Sequence, residues 1–535
     1  MRRPIHQAFW AAFFAQALVP SAASGAGAPP PVEAFSSLPQ IADVHLSPDG
    51  THFSAIEPYG GRPAVLVFQL HPPPGTKPQV FSLEESNATG SYWVNNDRLI
   101  CFFYRTKFFG GHTEHNLGQL TRNVSVSLSG KTKPFMLMEG TQVYDDNFGS
   151  ALWIAGRNDT EPGIVYMEAS KRHGPKFEMT MFAVNVDDNH IEELEAGNVD
   201  TTGWWLDEHG RAVARIDATA SYETPKSLDT FFVKDGDAWR KAAAYENSAG
   251  SVAEMQGLTI DGSAMAVLRH TGDDKAYLET LPLKAGAAPA VLYKNPGYDS
   301  AALIDEWAGR VVGAVYSDDR RRAVYFDPVL ARTQKRLEAA LPGQTVELSS
   351  WNKDRSVYLV TAQDPRDPPG IYLFTAADSH LEYLMNAYPS LQPADLADME
   401  PYPYKARDGL DLHAYLTLPP GRTPKNLPTV IFPHGGPDAR DEIGFDWWAQ
   451  FMASRGYAVL QPNFRGSTGY GARFRSAGYG QWGRKMQEDI SDGVKKLIAD
   501  GIADPKRICI VGASYGGYAA LAGATFTPDL YACAV

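Results

Sequence analysis

Three short stretches of this chain combine residue types that could carry out acyl-transfer chemistry. The first is Gly512-Ala513-Ser514-Tyr515-Gly516-Gly517. It follows the apolar run Arg507 to Val511, which reads as a strand, and precedes the small-residue stretch Tyr518 to Ala524, which reads as a helix. A serine on a sharp strand-to-helix turn crowds its own backbone, so glycines two residues before and after it mark a nucleophile elbow. Such a turn lifts the Ser514 hydroxyl above the sheet. It also aims the Tyr515 N–H and the positive end of the helix at the place where a tetrahedral oxyanion would form. The second stretch is Pro433-His434-Gly435-Gly436-Pro437, directly after an apolar strand-like run from Thr429 to Phe432. Its glycines let backbone N–H groups approach a substrate oxygen. His434 precedes the serine by roughly 80 residues, the wrong order for a catalytic base on such an elbow, so it is read as an oxyanion-loop residue. The third is Asn463-Phe464-Arg465-Gly466-Ser467-Thr468-Gly469-Tyr470-Gly471.

The elements around these motifs alternate. Leu412 to Leu418 and Tyr457 to Pro462 read as strands, and Trp447 to Arg455 as a helix ending at Gly456. Ile490, Val494, Leu497 and Ile498 fall on one face of a helix expected from Met486 to Ala499. This is an α/β layout spanning residues 396–535.

Residues 27–395 have a different texture, with short apolar or alternating runs separated by Asp, Gly and Asn clusters. One phrase recurs: a hydrophobic or aromatic residue, a polar turn, then a β-rich run. It is found at Leu46 to Gly50, Trp93 to Arg98, Trp205 to Gly210, Leu258 to Gly262, Asp305 to Gly309 and Trp351 to Arg355, with a weaker copy at Asp145 to Gly149. The turns recur roughly every 46 to 61 residues, the size of a four-stranded propeller blade with its loops. The expectation is a β-propeller, seven-bladed by this count, followed by an α/β-hydrolase domain. A recurrent Trp at a blade turn is read as packing rather than as a ligand platform.

The loop, the third stretch, the run Trp482 to Ile498 and the elbow resemble, in order and spacing, the prolyl oligopeptidase family, especially its acylaminoacyl peptidase-like and dipeptidyl-peptidase-like bacterial members. The resemblance implies a serine peptidase acting on short peptides, with the propeller excluding folded proteins. It implies Ser514 as nucleophile, an oxyanion held by the Tyr515 N–H together with the His434 imidazole or the Gly436 N–H, and Asn463 and Arg465 either shaping the oxyanion loop from beneath or making structural hydrogen bonds in a helix-preceding turn. Two other readings are an esterase on the same elbow and a non-enzymatic propeller protein with a degenerate hydrolase domain.

The chain departs from the family in one respect. All 13 histidines precede Ser514, and Asp529 is the one aspartate after it, so the acid and base of a triad are missing. The expectation is a fragment of a longer protein, lacking the last part of the catalytic domain and without significant hydrolysis as it stands.

Composition narrows the remaining possibilities. With 535 residues, 44% hydrophobic, the chain exceeds a single compact core. A formal charge of -13 disfavours nucleic acid as a partner. Residues 1–26, with Arg2-Arg3, an apolar run from Ala8 to Val19 and a small-residue stretch, have the pattern of a signal peptide, which points to a secreted or periplasmic protein without a membrane span. Three cysteines are too few for a disulfide framework, and Cys509 and Cys533 are expected as buried free thiols. His112 and His115 form no metal-ligand pattern, and no metal or cofactor is implied.

Overall fold

A computed structural model describes residues 29–109, 116–146, 152–220, 226–248, 252–270 and 274–535. The signal-like segment, the 112/115 histidine pair and most of the weak repeat at Asp145 to Gly149 lie outside them.

Each recurrent polar turn joins the first strand of a small antiparallel sheet to its second. Ala42–Leu46 passes through Asp49 to His52–Tyr59, and Asn87–Trp93 passes through Asn95 to Arg98–Phe109. Thr201–Leu206 passes to Ala212–Ala220, Val252–Thr259 to Ala264–His270, Ser300–Ile304 to Arg310–Ser317 and Thr345–Trp351 to Val357–Asp364. The turn side chains show why these sequences reverse direction. Asn95 Oδ1 accepts from the N–H groups of Asp97 and Arg98, and Asp207 Oδ1 accepts from those of His209 and Arg211. A short carboxylate or amide thus stands in for the missing ladder partner. Four-stranded meanders follow one another along the chain, with the 252–294 meander joined to the 300–325 strands through a short parallel pairing at Leu258 and Thr259. This is the succession of small sheets that makes a propeller.

The weak repeat is a correction. The strand after it, Trp153–Arg157, is the first of its sheet rather than the second. The equivalent turn is Asn158 to Gly163, where Asn158 Oδ1 accepts from Thr160 N and Glu161 N.

The blade-turn tryptophans join neighbouring sheets. Trp93 Nε1 donates to the His45 carbonyl at 3.0 Å, and Trp307 Nε1 donates to the Trp351 carbonyl. Both rings are buried. The first and last sheets meet directly, Leu46 N donating to Ser350 Oγ, and both bond to Glu306 of the intervening 300–325 segment. His45 lies 3.1 Å from both Asp43 and Glu306, and Glu306 also accepts from Ser350 Oγ and Trp351 N.

The second part is a mixed sheet. Its strands are β1 (Met399–Pro401), β2 (Asp411–Thr417), β3 (Leu427–Ile431), β4 (Ala458–Asn463), β5 (Ala503–Ile510) and β6 (Cys533–Ala534), arranged β1-β2-β4-β3-β5-β6. The β4–β3–β5–β6 pairings are parallel, and β2 runs antiparallel to β4. Three helices cover it: α1 (Trp447–Ser454), α2 (Lys485–Ala499) and α3 (Tyr515–Phe526). Met486, Ile490, Val494 and Leu497 of α2 are fully buried, as their helical spacing requires. Among the described residues no helix is long and apolar enough to cross a membrane.

Two further expectations change. Cys509 and Cys533 are joined in a disulfide, because β5 and β6 set them directly opposite one another with Cα atoms 4.6 Å apart, and Cys533 is exposed. The free, buried thiol is Cys101. The N-terminal helix Val32–Ser36, grouped by sequence with the propeller, packs on the second part instead. Phe35 meets Phe451 edge-on at 5.6 Å, and Arg455 donates to the Pro30 carbonyl.

Burial alone would lower the His45 pKa, but the hydrogen bonds from Asp43 and Glu306 outweigh it and raise it to about 10. With an unfolded value near 6.5, this stabilisation is complete below that pH and is lost as pH rises toward 10. His45→Gln is therefore expected to lower the thermal unfolding midpoint at pH 6 to 7, and scans at stepped pH should show the gap closing between about 6.5 and 10. A gap constant with pH would contradict the ion-pair assignment.

Candidate active site

The site is built where β5 ends, α3 begins and the loop after β3 crosses them. Ser514 is the residue before α3 and adopts φ 56°, ψ -122°, a backbone conformation that a side chain other than glycine rarely takes. The strain has a visible origin. A Cβ on Gly512 would stand 2.4 Å from the Gly516 carbonyl carbon, and one on Gly516 would stand 2.2 Å from the Pro433 oxygen. The turn closes this tightly only because both positions lack side chains. The resulting serine is exposed, while Tyr515 behind it is buried.

The glycine-rich loop lies directly alongside. A Cβ on Gly435 would stand 3.6 Å from Ser514 Cβ. Gly436 has φ 116°, which swings the chain away before Asp438. Tyr515, Gly435 and Gly436 thus gather around the serine. As the first residue of α3, Tyr515 has an N–H with no acceptor one turn back in the helix. A developing negative charge beside Ser514 would meet backbone donors already in place.

His434 is brought into this group, but both of its ring nitrogens meet groups other than Ser514. Nδ1 lies 2.6 Å from the Gly435 carbonyl and Nε2 lies 2.9 Å from Ser467 Oγ. The carbonyl can only accept, so Nδ1 carries the proton, while the single Ser467 hydroxyl proton lies between Nε2 and the Phe464 carbonyl, 2.7 Å from Oγ. The ring stacks on Phe464 at 4.5 Å. Burial, aided by the Arg440 charge and opposed by the Gly435 hydrogen bond, lowers its pKa to about 4, so it is neutral at physiological pH. Of the two donors left open by sequence, the imidazole has both nitrogens engaged, and among the described residues no hydrogen bond is formed by Gly435 N–H or Gly436 N–H.

Asn463 ends β4 fully buried. Its Nδ2 donates to the Asp441 carbonyl and to Tyr470 Oη, while its Oδ1 accepts from Asp441 N at 2.8 Å. It therefore stitches the segment just past the glycine-rich loop to the sheet. Arg465 acts further off. Its guanidinium forks onto the buried Asp489 of α2 and onto Asp408, at distances of 2.6 to 3.0 Å. A fixed, desolvated cation of this kind anchors the start of the loop that carries Ser467, rather than touching the elbow. Ser467 is a site residue that sequence reasoning passed over. It lies within the Asn463 to Gly471 stretch but has no distinguishing spacing of its own.

With the geometry in place, similarity to known proteins can be stated. Residues 443–535 match the model of the prolyl oligopeptidase family. Over 520 residues the chain is 28% identical to dipeptidyl aminopeptidase BIII of Pseudoxanthomonas mexicana, covering 94% of this chain and 70% of that protein. Over 215 residues it is 38% identical to dipeptidyl peptidase family member 6 of Caenorhabditis elegans, covering 36% of this chain and 29% of that one. Among solved structures, a puromycin-hydrolyzing peptidase of Mycobacterium tuberculosis has the same fold, with a TM-score of 0.66 at 19% identity over 95% of this chain and 79% of that one.

Two measurements test the site geometry. Gly516→Ala is expected to cost about 1–3 kcal/mol in urea unfolding, because the new methyl collides with the Pro433 oxygen. Gly517→Ala, whose Cβ would stand 3.2 Å from the Gly512 oxygen, should cost clearly less. Since folded His434 titrates near 4 and an unfolded histidine near 6.5, stability should fall as pH drops between those values. His434→Gln should flatten that limb of the pH profile.

Proposed function

From a chain that carries a prolyl oligopeptidase family domain and is a hydrolase of the serine peptidase type, we propose that Ser514 cleaves peptide bonds of short peptides through an acyl-enzyme. The observation that carries this reading is the left-handed backbone of Ser514 at the head of α3, with Gly435 packed directly against it. In the proposed reaction Ser514 Oγ attacks the scissile carbonyl. The Tyr515 N–H and an N–H of the Gly435–Gly436 pair hold the oxyanion, and the leaving amine departs protonated. The propeller, which we take as seven-bladed, bonds through Asp274, Asp299 and Asp319 to segments near the glycine-rich loop, which supports selection for short substrates. The signal-like N-terminus supports action outside the cytoplasm.

A serine hydroxyl needs a base to take its proton. Among the described residues no side chain hydrogen-bonds to Ser514 Oγ, and His434, with both ring nitrogens engaged, is not poised to serve. We infer that residues 27–535 alone hydrolyse peptides no faster than their Ser514→Ala variant.

The deciding assay offers chromogenic dipeptide to decapeptide substrates, and a folded protein of comparable sequence, to the native protein from its source cells. Ser514→Ala in the gene should lower kcat by at least ~10³-fold, and the folded protein should remain uncut. Cleavage that persists in the Ser514→Ala variant would place the chemistry on another residue.

A further inference from the structure

Arg440 stands three residues after the glycine-rich loop and has no place in the site described above. Its side chain is 7% exposed, and its Nε pairs with Glu442 Oε1 only at 3.7 Å. Instead its fork reaches across to the propeller. Nη1 donates to the Ser317 carbonyl at 3.1 Å and Nη2 to the Asp318 carbonyl at 2.6 Å. Both carbonyls belong to the hairpin between Arg310–Ser317 and the strand Arg321–Tyr325. The guanidinium lies over the Tyr470 ring at 4.2 Å, and Nη2 is 3.3 Å from Tyr415 Oη. Nε reaches the Asp441 carbonyl and Glu442, so the fork that crosses to the propeller is held by two neutral carbonyls, a costly arrangement for a buried cation.

The backbone on either side of Arg440 is held to the site. Thr468 N donates to the Ala439 carbonyl, Asp441 N donates to Asn463 Oδ1, and Ile443 N donates to the propeller's Asp319 carbonyl at 2.7 Å. Thr468 adjoins Ser467, whose hydroxyl meets His434, and His434 adjoins the Gly435 that lies against Ser514. A continuous run of contacts thus leads from the 317–319 hairpin through Arg440 to the loop beside the nucleophile.

We propose that Arg440 is a positioning residue that fixes the His434–Gly436 loop against Ser514 only while the propeller hairpin at Ser317 to Asp319 is seated on the second domain. The proposal rests on the peptidase reading for its catalytic consequence, but not for its physical one. A propeller that shifts to admit a peptide would release the loop, and reseating would restore it.

The test is hydrogen exchange on the full chain, comparing Arg440→Lys and Arg440→Gln with the parent. Lysine keeps the charge but loses the two-carbonyl fork. Both variants are expected to speed exchange of the Asp441, Ile443 and Thr468 amides at least tenfold, while the β3–β4 core amides keep their protection and report an intact fold. Arg440→Ala supplemented with millimolar ethylguanidinium should recover slow exchange. Faster exchange at Ile443 with unchanged Asp441 and Thr468 would overturn the proposal, because the hairpin would then loosen without the loop. If either variant lost protection throughout, the guanidinium rescue in the third would decide. In native protein that turns over peptides, Arg440→Lys should lower kcat tenfold or more with KM within twofold. Absence of Ser514-dependent turnover would defeat the peptidase reading and leave the exchange result to decide the coupling.

Discussion

The close crossing of two backbone segments, Pro433 over Gly516, is the constraint on which the site depends. The would-be Cβ of Gly516 falls 2.2 Å from the Pro433 oxygen, so the loop after β3 and the head of α3 touch with no side chain between them. That contact forces the elbow to close on itself, drives Ser514 into its left-handed conformation and brings Gly435 alongside the serine. Each feature that favours acyl transfer follows from this proximity. Ordinary packing around α2 and β5 maintains it, since the fully buried Met486, Ile490, Ile508 and Ile510 leave the sheet little freedom to shift.

Around this contact the polar groups form an outer frame. Asn463 holds the segment past the loop, Arg465 with Asp489 and Asp408 holds the start of the next one, and His434 ties the two together through Ser467. The propeller joins the same frame through main-chain atoms. Asp299 N donates to the Gly469 carbonyl, and Ala472 N donates to the Asp274 carbonyl. Backbone-to-backbone docking of this kind is insensitive to side-chain identity, which is one reason the junction leaves so faint a trace in the residues.

What was legible in the sequence was local. The elbow, the α2 stripe and the Asp- or Asn-bearing blade turns are each encoded within a few residues, and the structure finds α2 at Lys485–Ala499 and a blade hairpin at each strong repeat. The turn at Asn158 was missed because it lacks the aromatic residue that introduces several of its counterparts, and a weaker phrase upstream drew the assignment. The pairing of Cys509 with Cys533 was missed because it depends on which strands become parallel neighbours and in what register. The engagement of His434 with Ser467 was hidden for the same kind of reason: two loops that meet only above the finished sheet bring them together.

The indole bridges between blades bear on how such a repeat could have arisen and diverged. Trp93 serves the carbonyl of the preceding blade, at His45, whereas Trp307 serves that of the following blade, at Trp351. Trp351, which ends its strand as Trp93 does, also points back, to Asp305 Oδ2, so the forward-pointing donor is Trp307, which lies within its turn. A blade copied from one position into another would carry an indole aimed at the wrong neighbour and leave a carbonyl dry. Duplication can therefore have founded the ring, but once these bridges diverged the blades ceased to be interchangeable parts, and later change had to proceed in place.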